Sequence, residues 1–304
     1  MGETAQQVVF GLVAPVLIAA GAIGVATWGR IEKVPRWRWL IPVALAVPVA
    51  VAFFALYGWP REQWQRVAFV PVAGLIVGIV AVMTGRGVLA RGGLLLVLGG
   101  LTGAAIWPIV ARETWVWRIL PVVATIALAA LLAPLATRRA GPAVPGGLAI
   151  ATAGTAAMVL ISGFLKLTIP IGAGAMTLAV LTAITLRRTQ LRPGLETIAV
   201  VSPLLVVAPL VAWLYMTSAG DELPAASFVL PAAAPLLLWA GETGPLRRRP
   251  AWLRVAVAWV LVAAVVAIAI ALALRAAPER GEEDPMEDLY RQMMGSRTSL
   301  QTPA

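Results

Sequence analysis

Few side chains in this sequence could do chemistry in an apolar setting, and the most suggestive of them gather around Lys166. Ser162 and Gly163 precede that lysine, and Thr168, Pro170, Gly172 and Gly174 follow it. A backbone of this kind can bend and turn polar groups toward a cavity, and an ionisable group inside a membrane is a functional hypothesis by default. Thr152, Thr155 and Ser162 recur at steps of three and seven, which return to one helix face. Thr152, Thr155, Ser162, Lys166 and Thr168 therefore make up a candidate polar path ending at a cation, of use to a carrier of small solutes. The competing reading makes Lys166 the cap of a turn at the membrane–water boundary, its stem lying along apolar surface. Ser, Thr and Gly would then serve close helix packing.

The carboxylates offer less. Glu196 follows Arg187, Arg188, Arg192 and the Pro193-Gly194 break, where it favours a helix N-terminal dipole and can pair with those arginines. Glu62 and Glu113 are flanked by arginines in turns, where surface pairing accounts for them. No two carboxylates share an apolar face, so acid–base hydrolysis has no visible apparatus. His and Cys are both absent, which removes the usual ligands of zinc, haem and iron–sulfur clusters and the familiar activated nucleophiles. The expectation is no catalytic site, no metal and no cofactor.

The elements that would position these residues follow from composition. The 304 residues are 60% hydrophobic and 12% charged, against roughly 25% charged in a soluble domain. Apolar windows predict membrane helices near 8–28, 39–59, 67–83, 93–111, 119–136, 146–165, 168–186, 195–216, 225–241 and 251–274. The run from Val8 to Trp28 is too long for a signal-peptide core and has no basic region before it, so it is expected to be a retained helix. The sixth and seventh spans share one apolar run broken by Lys166 and Pro170, which predicts a tight hairpin. The ninth is short and holds Pro231 and Pro235. The predicted fold class is all-α, a polytopic bundle of about ten transmembrane helices over 1–274, with an acidic tail over 275–304. In that tail Asp284-Pro285-Met286-Glu287 reads as a helix start, and Met286, Leu289, Tyr290 and Met293 predict an amphipathic helix over 285–294.

Charge then orients the bundle. Fifteen cations fall in the loops of one side: Arg30, Lys33, Arg36, Arg38, Arg86, Arg91, Arg138, Arg139, Arg187, Arg188, Arg192, Arg247, Arg248, Arg249 and Arg254. Only Arg61, Arg66, Arg112, Arg118 and Lys166 fall on the other. Short positive loops stay cytoplasmic, so both termini are expected on the non-cytoplasmic side of a bacterial inner membrane. Cations scattered in this way fit membrane orientation rather than a nucleic-acid groove. The expected partners are the lipid bilayer and other membrane proteins, not nucleic acid. Ten of the tryptophans, Trp59, Trp64, Trp115 and Trp213 among them, sit at or beside span ends, as an interfacial aromatic belt requires.

Three further patterns bear on packing. Gly74-x-x-x-Gly78 and Gly99-x-x-x-Gly103 permit close backbone contact, with packing inside the chain as the default. Prolines 42, 48, 203, 209, 231 and 235 lie within spans, as at the discontinuous helices of transporter sites. Arg61-Glu62-Gln63-Trp64 echoes Arg112-Glu113-Thr114-Trp115, which would make the second and third spans a repeat of the fourth and fifth.

The turn Gly58-Trp59-Pro60 leading to Trp64, the hairpin around Ser162 and Gly163, and the run from Leu236 to Glu242 before a basic loop carry a resemblance. Over most of its length the chain resembles uncharacterised multi-pass membrane proteins of planctomycete-type bacteria. The resemblance implies a shared fold and supplies no active residues. The expected function is a structural or accessory role in the membrane, the alternative being a secondary transporter of a small solute.

Overall fold

The computed structural model describes residues 39–84, 87–138, 141–187, 194–218, 223–242 and 244–276, with the isolated positions 13, 17, 20 and 21. The span predicted at 8–28, those isolated positions apart, and the helix predicted at 285–294 lie outside the described residues. Helix α1 is Leu40–Tyr57, and a 3-10 segment, Gln63–Ala68, leads into α2, Phe69–Met83. Then come α3 (Val88–Val110), α4 (Trp115–Arg138), α5 (Ala143–Ile161), α6 (Leu165–Arg187) and α7 (Leu195–Ser218). Helix α8, Ala225–Ala233, continues as a 3-10 stretch over Ala234–Glu242, and a 3-10 turn, Gly244–Arg248, precedes α9, Ala251–Ala276.

Among the described residues there is no strand, and nine spans are long and apolar enough to cross a membrane. The protein is an all-α, polytopic membrane bundle. The cause is the solvent: with no water to satisfy backbone N–H and C=O groups in lipid, an apolar segment must bond within itself. The nine spans coincide with the second to tenth predicted ones to within a few residues.

Turn chemistry sets the connections. Gly163, at φ 80°, closes α5: its N–H reaches the Leu160 carbonyl (3.0 Å) and the Phe164 N–H reaches that of Val159 (3.1 Å). This paired capping by a left-handed glycine makes the predicted hairpin between α5 and α6. Gly58, at φ 68°, follows the last residue of α1, and its N–H bonds the Phe54 carbonyl (2.9 Å).

Helix α7 is the hub, packing against α1 to α6 and α8, and its residues from Leu195 to Leu205 are buried without a break. It runs through two stacked clusters of buried side chains. One includes Leu45, Leu98, Leu135, Leu148 and Leu181, and the other Phe53, Ile106, Met158, Leu167 and Ile171. Both glycine pairs act inside the chain. A Cβ on Gly74 would lie 2.6 Å from the Ala199 carbonyl oxygen of α7. One on Gly99 would lie 2.5 Å from Ile126 of α4, and one on Gly103 would meet Val122.

The span Ala225–Glu242 has only 18 residues. As a pure α-helix it would reach roughly 27 Å at about 1.5 Å per residue, short of the roughly 30 Å of hydrocarbon. A 3-10 helix rises about 2.0 Å per residue, so the half from Ala234 onward lengthens the span to about 31 Å.

The echoed turns are built differently. In the first, Glu62 and Gln65 form a reciprocal cap on a 3-10 segment and Trp64 is half-buried. The second passes directly into α4, and Trp115 is exposed.

Candidate functional site

Pro170 stands in the second turn of α6 and has no N–H to offer the carbonyl four residues back, which is that of Lys166. In hydrocarbon an unmet carbonyl is costly. The Tyr57 hydroxyl, at the last residue of α1, donates to that oxygen at 2.7 Å. A bond between residues 109 apart in sequence thus ties α1 to the hairpin of α5 and α6. What Tyr57 reads is the main chain of Lys166, whose side chain is exposed.

Aromatic rings extend this junction across the arginine-poor end of the bundle. Tyr57 meets Trp64 edge-on at 5.4 Å, Trp64 meets Phe164 at 5.1 Å, and Phe164 stacks on Tyr215 at 4.4 Å. Phe164 is buried, and Trp64 turns inward with its indole N–H donating to the Glu62 carboxylate. Glu62 is therefore engaged by an indole and a cap rather than by a flanking arginine. Beside this chain Trp117 packs on Trp213 at 4.7 Å, joining the start of α4 to the end of α7. Read along the sequence, Trp64, Trp117 and Trp213 are belt residues. Inward packing becomes visible only once α1 and the hairpin of α5 and α6 are packed with α7.

Arg118 is a second residue that sequence reasoning passed over. Its guanidinium donates to the carbonyls of Ala111 (2.6 Å) and Glu113 (3.0 Å) and lies over the Trp107 ring at 5.7 Å. A cation on the carbonyls of the turn just after α3 complements that helix end. The available signal was its place three residues after Trp115, in the first turn of the following helix.

The candidate path is distributed over both arms of the hairpin. Thr152, Thr155 and Ser162 are buried on α5, and each donates to a carbonyl of its own helix: Leu148 (2.8 Å), Ala151 (3.0 Å) and Val159 (2.7 Å). Thr168, on α6, donates to Phe164 at 3.3 Å. Thr152 also lines a cavity of about 10 Å³ between α1, α2, α5, α6 and α7, with Leu45, Val49, Pro71, Gly174, Leu178 and Leu204 among its walls. That is at most room for one water, which needs two to four polar partners. Thr152 is the one hydroxyl in the lining, and it is already donating.

Glu196 stands in the first turn of α7, as its place after the Pro193-Gly194 break predicts, and it is buried there at 3% exposure. Its backbone oxygen faces Gly78. Among the described residues no three carboxylates come close enough to hold a metal ion. Comparison with protein-family models, with curated proteins and with solved structures finds no match to this chain.

Proposed function

We propose that this protein is a structural or accessory component of a bacterial inner membrane, without a catalytic site, and that both termini lie outside the cytoplasm. One observation carries the reading: the middle of the bundle is packed by apolar side chains around α7, and the hydroxyls of the candidate path bond to their own helices. A carrier needs a polar site near mid-bilayer at the junction of its moving parts. The orientation rests on fifteen cations against five in the loops of the two sides. The resemblance drawn from the sequence adds a shared fold to this reading and no activity. Secondary transport is the second reading, and the discontinuous span Ala225–Glu242 favours it, since broken helices recur at transporter sites.

The absence of cysteine makes labelling clean. Single thiols at Ser218 and Thr302 should react with an impermeant reagent in intact cells, and one at Ala140 should not. Thiols at Thr152 and Ser202 should resist reagents from both sides of the membrane. Reaction at either of the last two, blocked by a candidate solute, would replace the accessory reading with the carrier. A reversed pattern at the first three would invert the orientation.

A further inference from the structure

We propose that the arginine turn between the last two described spans holds the phosphate of an anionic phospholipid headgroup. Gly244–Arg248 is a 3-10 turn, and Arg247, Arg248 and Arg249 follow one another on it and at its end, all exposed. Successive residues of a 3-10 helix point about a third of a turn apart. Arg247 and Arg248 therefore point to different sides of the turn, and Arg249 follows just past its end. The backbone beneath them is braced: the Arg249 N–H bonds the Leu246 carbonyl (2.9 Å), and the Leu253 and Arg254 N–H groups both reach the Pro250 carbonyl (3.1 and 3.2 Å). Pro245 and Pro250 bracket the arginines and lower the freedom the loop would lose on binding.

Charge at this turn is poorly balanced. From Glu242 to Arg254 there are four arginines and one carboxylate. That carboxylate, Glu242, lies 3.9 Å from Arg254. Guanidinium forks match phosphate oxygens two at a time, so a phosphate here would meet the exposed guanidinium groups of Arg247, Arg248 and Arg249.

The neighbouring surface makes the phosphate a lipid's. Trp252 is 70% exposed two residues before Arg254, at the level where amphipathic rings meet headgroups. Below it α9 presents Val260, Ala263, Ala264, Ala267, Ile268 and Leu274 outward. An acyl chain lying on that side would place its headgroup at the arginines. The inference does not depend on whether the bundle transports anything.

The test uses the full chain in nanodiscs of equal phosphatidylglycerol and phosphatidylcholine, with retained lipid counted by native mass spectrometry after detergent extraction. The unmodified protein should retain phosphatidylglycerol selectively. Arg247→Gln/Arg248→Gln/Arg249→Gln should lower that retention on the order of tenfold or more. The matched variant at the other end, Arg61→Gln/Arg66→Gln/Arg112→Gln, should leave it unchanged. If the first triple variant is not monodisperse, Arg248→Gln alone should show a severalfold loss. Unchanged retention in the arginine-turn variants, or equal loss in both triples, would overturn the proposal. So would displacement of the lipid by millimolar inorganic phosphate, which would make free phosphate the occupant.

Discussion

Helix α7 and the span Ala225–Glu242 each contain two prolines, Pro203 and Pro209 in one and Pro231 and Pro235 in the other, yet they respond in opposite ways. Helix α7 stays α-helical for 24 residues, while the shorter span turns to 3-10 from Ala234. Length does not decide it: α1 has eighteen residues, as the shorter span does, holds Pro48, and stays α-helical throughout. Surroundings do. Pro203 leaves the Ala199 carbonyl without its helical partner, and α2 covers that turn of α7 with Gly74. The 3-10 stretch is held by side chains instead, through the Trp239 indole N–H donating to the Leu131 carbonyl (2.9 Å) and Leu238 seated over Gly147. A proline within a membrane span thus does not dictate the outcome. The packing of the neighbouring backbone decides whether the helix closes over it.

If that contrast is right, equal additions of volume should cost unequal amounts. A methyl group at Gly74 would meet main-chain atoms of Ala199 and Val200 at 2.6 Å, and neither can yield without moving α7. Gly74→Ala should destabilise by about 3 kcal/mol, the upper part of the overpacking range. A methyl group at Gly147 would meet the ends of the Leu238 side chain, also at 2.6 Å, and that side chain can rotate. Gly147→Ala should cost about 1 kcal/mol. Thermal unfolding of both variants in one detergent ranks them. Equal losses would mean that the 3-10 stretch is as rigidly held as α7, and the contrast would fail.

The mid-sized effect concerns a third proline, which is met by a hydroxyl. Tyr57→Phe removes the donor to the Lys166 carbonyl and should cost about 1 kcal/mol. Pro170→Ala restores an N–H to that carbonyl, so Tyr57→Phe in that background should cost near nothing. The double-mutant cycle isolates the coupling. Additive losses would show that Tyr57 contributes by ring packing alone.

Legibility in the sequence tracks how local the cause is. The spans, the hairpin at Ser162–Phe164 and the internal use of both glycine pairs were readable, because each follows from composition or from spacing within one or two turns. Lys166 and Pro170 were read as the break between the two spans; the structure instead puts both inside α6, where Pro170 leaves the Lys166 carbonyl without its helical partner. Nothing near it named Tyr57, which arrives through the docking of α1. The 3-10 stretch was foreshadowed by a short span with two prolines, but its form depends on Trp239 and Leu238 finding α4 and α5. For Thr152, Thr155 and Ser162 the residue types and shared face were legible. Whether a hydroxyl turns to its own helix or to a cavity is a choice of rotamer made by packing, which spacing does not report.

The smallest predicted effect separates the two halves of one residue. Lys166 is the cation around which the candidate path was drawn, and its ammonium is the part a carrier would use. Its carbonyl is the part that Tyr57 holds, and any residue would supply the same oxygen. The exposed side chain can lie along the bundle and reach water from the arginine-poor boundary, where a lysine is cheaply replaced. Lys166→Gln should therefore shift stability by no more than about 0.5 kcal/mol, and cells carrying it should behave as the parent does. The combination Lys166→Gln/Tyr57→Phe should be no worse than Tyr57→Phe alone, since the bond never depended on the ammonium. A variant that accumulates normally but loses a cellular phenotype would place function in the side chain after all. The junction would then be a support for a working cation, and the carrier reading would displace the accessory one.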